Sequence, residues 1–194
     1  MKLFVLGDWH YESAHRDVFR RAIEDVNDQK PDFVLSIGDL TTGPTVACRE
    51  VLRESKTLLD EIQAPFFTTV GNHDMEGRDF STDQENLRFF LDTFGYPTPW
   101  ADRDFGSWRG IFLGNERYRQ HTVCRHEVYL GPEQQAWAKQ RLEDGNPKPV
   151  FIICHAPVLG CGLRVIPEQH VCVGNGYVNQ NHAAGGIMRL LRDH

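Results

Sequence analysis

Short apolar runs alternate with amphipathic stretches along most of the chain. Lys2 to Leu6 is a run ending in Gly7-Asp8, and Asp32 to Ile37 is another, closed by Gly38-Asp39. Between them Val18, Phe19, Ala22, Ile23 and Val26 recur at helical spacing, which predicts a helix from about His15 to Asn27. A second helix is expected from about Thr45 to Ile62. Phe66 to Val70 predicts a third strand, closed by Gly71-Asn72-His73-Asp74. Strands alternating with helices imply an α/β protein with a largely parallel sheet covered by helices.

The middle of the chain is less regular. Gln84 to Phe94 reads as a helix that Gly95-Tyr-Pro-Thr-Pro breaks. The stretch from Gly95 to Asp104 has no clear period, so it reads as a lid or a long connection. Phe105 to Leu113 resembles strand, turn and strand. A helix is expected from Leu130 to about Glu143, with Pro132 suited to its first turn. Val150 to Cys154 predicts a fourth buried strand ended by His155-Ala156-Pro157, and a last short helix is expected near Ala183 to Arg192.

Four predicted strands therefore end in acids, amides or imidazoles followed by turn residues. In open α/β folds the carboxyl ends of strands are where sites form. Asp8 and His10 stand two apart, so an extended loop can point both to one side. Asp39 follows the second strand, Asn72 and His73 the third, and His155 the fourth. Taken singly each is ordinary: an Asp after glycine commonly serves a turn, and a lone His is usually a surface or hydrogen-bonded loop residue. Their order at successive strand mouths is what points to a site. Carboxylate, imidazole and amide oxygen together suit Mn²⁺, Fe or Zn²⁺ better than Mg²⁺ or Ca²⁺, which favour all-oxygen shells. Gly7, Gly38 and Gly71 precede the ligands and are expected to let the backbone turn sharply there.

These motifs resemble the calcineurin-like metallophosphoesterase superfamily, whose pattern is D-x-H, G-D, G-N-H-[DE], a single His and then G-H-x-H. The first four stand here as Asp8-Trp9-His10, Gly38-Asp39, Gly71-Asn72-His73-Asp74 and His155, so the likeness covers roughly residues 1 to 160. Within the family, the plain D-x-H opening and small size look most like class III cyclic-nucleotide phosphodiesterases and related bacterial phosphohydrolases. The resemblance implies a four-layer α-β-β-α sandwich with mixed sheets. It implies hydrolysis of a phosphomonoester or phosphodiester at a dinuclear site by a metal-bridging hydroxide, the metals being two divalent or mixed-valence transition ions (Mn, Fe or Zn). Asp8 and His10 would hold the first metal, Asp39 would bridge, and Asn72 and His155 would hold the second. His73 would act on the substrate phosphate, with Asp74 accepting its other ring proton. Neither Ser36 nor a cysteine then needs a catalytic part.

The sequence contains no G-H-x-H. His121, His126, His170, His182 and His194 are left over, and none stands in that context. His182 lies in the polar Asn179-Gln-Asn-His segment: it is either near the site, touching substrate, or part of a helix start capped by Asn181. The expectation is a single domain over residues 1 to 194 that lacks its C-terminal strands, either by truncation, since a missing strand would leave a core edge exposed, or as a natural short form that lost the motif. A neighbouring copy in a homo-oligomer could supply the missing imidazoles. The competing reading is a binding module of the same fold without turnover.

Composition narrows the partners. The 194 residues carry net charge -6, which argues against nonspecific nucleic-acid binding and weakens a nuclease reading. Arg16, Arg20 and Arg21 read as the solvated face of a helix. No apolar run approaches the roughly 20 residues of a membrane span, and the opening MKLFVLGDWH turns polar too soon for a signal peptide. The five cysteines form no CxxC pair, which fits reduced thiols and a cytoplasmic setting, with Cys154 in the core. A small-molecule phosphoester is the expected substrate. Trp9, Tyr11, Trp100 and Trp108 could include a residue that stacks a base or forms a lid, although tryptophans in a domain this size more often pack; Trp9 and Tyr11, which flank His10, are the better candidates.

Overall fold

The computed structural model describes residues 1–120 and 127–156. The predicted helix at 183–192, His121, His126, His170, His182 and His194, and Cys124, Cys161 and Cys172, lie outside the described residues. Among the described residues there are two three-stranded sheets. The first comprises β1 (Leu3–Leu6), β2 (Phe33–Ser36) and β3 (Phe66–Thr68), in that order and all parallel. The second comprises β4 (Trp100–Asp104), β5 (Arg109–Leu113) and β6 (Val150–Cys154), with β4 antiparallel and β6 parallel to β5.

The pleat sorts the core into layers. Successive strand residues point to opposite faces, so Val34 packs against helices while Leu35 faces the second sheet. On the helix side, α1 (Arg16–Asp28), α2 (Arg49–Leu59) and α3 (Asp83–Phe94) present Ile23, Val26, Leu52, Leu58 and Phe90 to the first sheet. Between the sheets lie Leu35, Phe105, Trp108, Phe112 and Ile153. The outer face of the second sheet buries Ile111 and Leu113 against Ala138 of α4 (Pro132–Leu142). The result is the four-layer α-β-β-α sandwich with one parallel and one mixed sheet.

Local chemistry explains the helix ends. Thr82 accepts a hydrogen bond from Glu85 N and caps α3, while Glu85 accepts from Ser81 N. Gly95 closes the same helix in the left-handed conformation at φ 70°. Pro132 opens α4, where its missing N–H costs nothing.

Several expectations shift. The segment read as irregular from Gly95 to Asp104 contains β4, and 105–108 is the turn rather than the first strand. Trp-Ala-Asp-Arg-Asp lacks an apolar stripe: among the described residues β4 pairs on one side only, and an edge strand tolerates charge. The second helix begins at Arg49, because Gly43–Thr45 forms a separate 3-10 turn around Pro44. Cys154 is half-buried and donates to Ala156 O at 3.1 Å. The arginines of α1 do form a surface, Arg20 pairing with Glu61 at 3.6 Å. Among the described residues no helix is long and apolar enough to cross a membrane.

Candidate metal centre

The loops leaving β1, β2, β3 and β6 meet at one end of the sandwich. They are stitched together by backbone bonds: His10 N donates to Asp39 O at 2.9 Å and Tyr11 N to Leu40 O at 3.0 Å. Thr69 N donates to Ser36 O at 3.2 Å. Two site residues, His10 and Asp39, sit at φ 48° and 53°, a left-handed geometry in which Asp and His are more often found than other side chains. Such strain persists where the surroundings over-determine it, and it is common at functional sites.

Glycines make the approach possible at two places. Gly38 has φ 96°, and a side chain there would lie 2.5 Å from Gly71 N. A Cβ on Gly71 would come within 2.1 Å of Asp39 Oδ1. Gly7 differs, since a Cβ there meets nothing within 4 Å, so the expected need for glycine at that turn does not hold.

Asp39 is the centre of the arrangement and is 3% exposed. Its Oδ1 accepts from His73 N at 2.8 Å. Its Oδ2 lies 3.4 Å from His10 Nε2 and 3.3 Å from His155 Nε2. Burial works hardest against its charge, yet the contact with His10 and the charges of His155 and His73 hold its carboxyl below the usual range. Asp39 in turn raises His10, against the opposing effect of burial.

His155 stands where donor atoms of two loops converge. Its Nδ1 lies 2.9 Å from Ile37 O, and its Nε2 faces Asn72 Oδ1 at 3.0 Å as well as Asp39 Oδ2. With Nδ1 engaged at Ile37 O, Nε2 converges with an amide oxygen and a carboxylate oxygen, a donor set that suits a transition-metal ion. A backbone carbonyl on the far nitrogen is also the usual way a ligating histidine is oriented.

The donor atoms fall into two groups, His10–Asp39–His73 and Asp8–Asp39–His155, with the atoms of each group within 4.8 Å of one another. Asp39 belongs to both. Asp8 is the exposed member, 3.9 Å from His155 Nδ1. The grouping differs from the pairing expected from sequence: Asp8 clusters with His155 rather than His10, and His73 stands edge-on to His10 at 5.2 Å between ring centroids. Residue types and distances fit transition-metal ligation.

Asp74 departs from its expected part. Its oxygens accept from Asp39 N (2.9 Å), Leu40 N (2.8 Å) and Gly71 N (2.8 Å), so it ties the loops after β2 and β3 together. Burial, and then the charge of Asp39, push its carboxyl up to about 6. The acid beside the His73 ring is Glu76, with Oε1 3.2 Å from Nδ1. Contact with Glu76 is the largest cause of a raised His73. Sequence reading overlooked Glu76, although its i+3 spacing from His73 on a single turn was the available signal.

Trp9 and Tyr11 also move. Both rings pack on Phe19 in the core, with centroids 4.9 and 5.1 Å away, so neither stacks a ligand. Flanking a ligand in sequence sends alternate side chains to opposite sides, and theirs is the helix side. Trp108 stacks on Phe105 at 4.2 Å and is packing, as expected.

A parallel sheet faced by a mixed sheet, with carboxylate, amide and imidazole groups converging at the strand mouths, defines a layered α/β protein with a candidate metal centre. The calcineurin-like phosphoesterase pattern matches residues 1–179, and the chain belongs to that family. A probable glycerophosphodiester phosphodiesterase GpdQ of Arcobacter nitrofigilis is 25% identical over 151 residues, covering 75% of this chain and 49% of the relative. The chain thus spans about half the length of that curated relative. A dimetal phosphatase from Danio rerio superposes with a TM-score of 0.68 at 15% identity, over 100% of this chain and 78% of the other. A Thermus thermophilus protein superposes at 0.57 and 15% identity, covering 96% and 76%. At these identities the two structures establish the fold alone.

Proposed function

We propose that the chain hydrolyses a small phosphoester with two transition-metal ions held by Asp8, His10, Asp39, Asn72 and His155. The observation that carries this reading is the sharing of buried Asp39 between two donor groups. Asp39 would be the ligand common to both ions, its carboxylate offsetting part of the repulsion between them. When bound, the ions supply Lewis acidity toward phosphate oxygens and an activated water. The chain's own residues then position and move protons. Asp39 takes the His73 N–H and so fixes where the His73 backbone stands. The His73 ring, next to His10 and Glu76, is placed to protonate the leaving oxygen. Asp74 keeps the two ligand loops in register.

The mixed imidazole, carboxylate and amide set favours Mn, Fe or Zn. The name of the Arcobacter relative supports a phosphodiester as the first substrate to test. The test is metal content per chain after loading with Mn²⁺, alongside hydrolysis of bis(p-nitrophenyl) phosphate and p-nitrophenyl phosphate. Two ions and chelator-sensitive turnover are expected. Asp39→Asn should lose metal and more than about 100-fold of activity, since even a residue outside the ligand set typically costs 10- to 100-fold. His73→Ala should keep metal and lose turnover. Metal binding without turnover would leave the chain a binding module, and no metal binding would refute the site.

A further inference from the structure

We propose that Glu76 is the positioning residue for His73, accepting a hydrogen bond from Nδ1–H so that the ring presents Nε2 to the substrate. This rests on the reading of His73 as the histidine that serves the phosphoester.

The first observation is burial. Glu76 is 9% exposed, and a glutamate this deep is rare without a partner. The ring of His73 supplies one, with Nδ1 3.2 Å from Glu76 Oε1. The two residues are three apart on the turn His73–Met75, where Glu76 N donates to His73 O at 3.1 Å. Their side chains therefore lie along the same edge of one turn.

The second observation is that the backbone on both sides of Glu76 is clamped. Arg119 reaches the carbonyls of Met75 at 3.3 Å and Phe80 at 3.0 Å, and it also donates to Gly77 O. Asn86 accepts from Gly77 N at 3.0 Å and donates to Asp74 O at 2.9 Å. A Cβ on Gly77 would lie 2.6 Å from Ala47 O and 2.6 Å from the Phe80 ring, so the chain there has no room to shift. A side chain whose backbone is fixed before and after it holds its geometry, which is what orienting a catalytic ring requires.

The third observation removes the competitor. Asp74, next to His73 in the chain, has its oxygens engaged by the N–H groups of Asp39, Leu40 and Gly71. Holding Nδ1–H therefore falls to Glu76: the ring keeps that proton in both its forms, and the proton given to the leaving oxygen is the one on Nε2 of the imidazolium.

The test uses the full chain, zinc-loaded and metal-free, with Glu76→Ala and Glu76→Gln. Long-range ¹⁵N–¹H NMR of the His73 ring, assigned by comparison with His73→Ala, reads the tautomer directly. The Nδ1–H form is expected in the parent and in Glu76→Gln, which keeps an acceptor oxygen, with averaging between tautomers in Glu76→Ala. In Mn²⁺-loaded protein, Glu76→Ala should lower kcat about 10- to 100-fold, the range for partners behind the reacting groups, with KM and metal content held. In a His73→Ala background the same change should do nothing further. A neutral parent ring protonated at Nε2 alone, an unaltered tautomer in Glu76→Ala, or an equal loss of turnover without His73 each overturns the proposal. Full turnover in His73→Ala alone sinks the functional reading of His73, while the NMR result still decides whether Glu76 sets the ring.

Discussion

Replacing Arg119 by Met removes the guanidinium that holds the loop after the candidate catalytic turn. In the intact protein its donors reach Met75 O, Gly77 O, Phe80 O and Asp83 Oδ1. Asp83 keeps the N–H groups of Arg119 and Gln120, at 2.9 and 3.2 Å, so its carboxylate is not stranded. The full penalty for breaking a buried ion pair, about 3–5 kcal/mol, therefore does not apply. Three carbonyls lose a charged donor, and each such bond is worth about 1.5–3 kcal/mol. The Arg119 side chain is 25% exposed, so water replaces part of what is lost. We expect about 3 kcal/mol for the set, below the simple sum because bonds of one side chain are not additive. For a chain of this size that is a Tm loss of about 6–12 °C. Differential scanning calorimetry with chelator present reads it without metal masking the loop. Arg119→Lys should recover only part, because a point charge cannot serve several carbonyls as the planar fork does. A loss under about 2 °C, less than 1 kcal/mol on the same scale, would show that the loop holds itself and that Arg119 is ornamental.

Two further outcomes follow from the geometry. Gly71→Ala puts a methyl 2.1 Å from Asp39 Oδ1, so bound metal and thermal stability should both fall, whereas Gly7→Ala, with open space around it, should leave both intact. Equal metal content in the two variants would refute the close approach. Asp74 gives a pH effect in metal-free protein. Its folded pKa, raised to about 6 chiefly by burial and then by Asp39, exceeds the unfolded value, so the folded state binds the proton more tightly. The stability it contributes is present below about pH 4 and is lost as pH rises through about 6, by up to about 3 kcal/mol. Urea unfolding of parent and Asp74→Asn across that range should show the parent declining relative to the variant, and parallel curves would refute the shift.

Much of the site was legible because its parts are local. A strand, a glycine and a ligand occupy fewer than ten consecutive residues, as in Lys2 to His10 or Phe66 to Asp74, and periodicity finds the strand while turn chemistry marks its end. The helices were legible for the same reason, and Val18 to Val26 show it: an amphipathic face is a property of one segment. β4 was not, since Trp100 to Asp104 owes its strand form to pairing with Leu113 to Arg109 rather than to its own pattern. Nor was the fate of Trp9 and Tyr11, whose neighbourhood in sequence is His10 but whose neighbour in space is Phe19.

What the sequence alone determined is the alternation of strand and helix through β3, the residue types at the strand mouths and hence the family. Only the tertiary structure decided how those residues group. His155 meets Asn72 from 83 positions away and Ile37 from 118, because β6 joins a different sheet from β2 and β3 and the two sheets face each other. It likewise gave Asp74 to the backbone of two loops and set Glu76 beside His73. Contacts of that kind arise from the packing of whole layers, and no period of 2 or 3.6 along the chain encodes them.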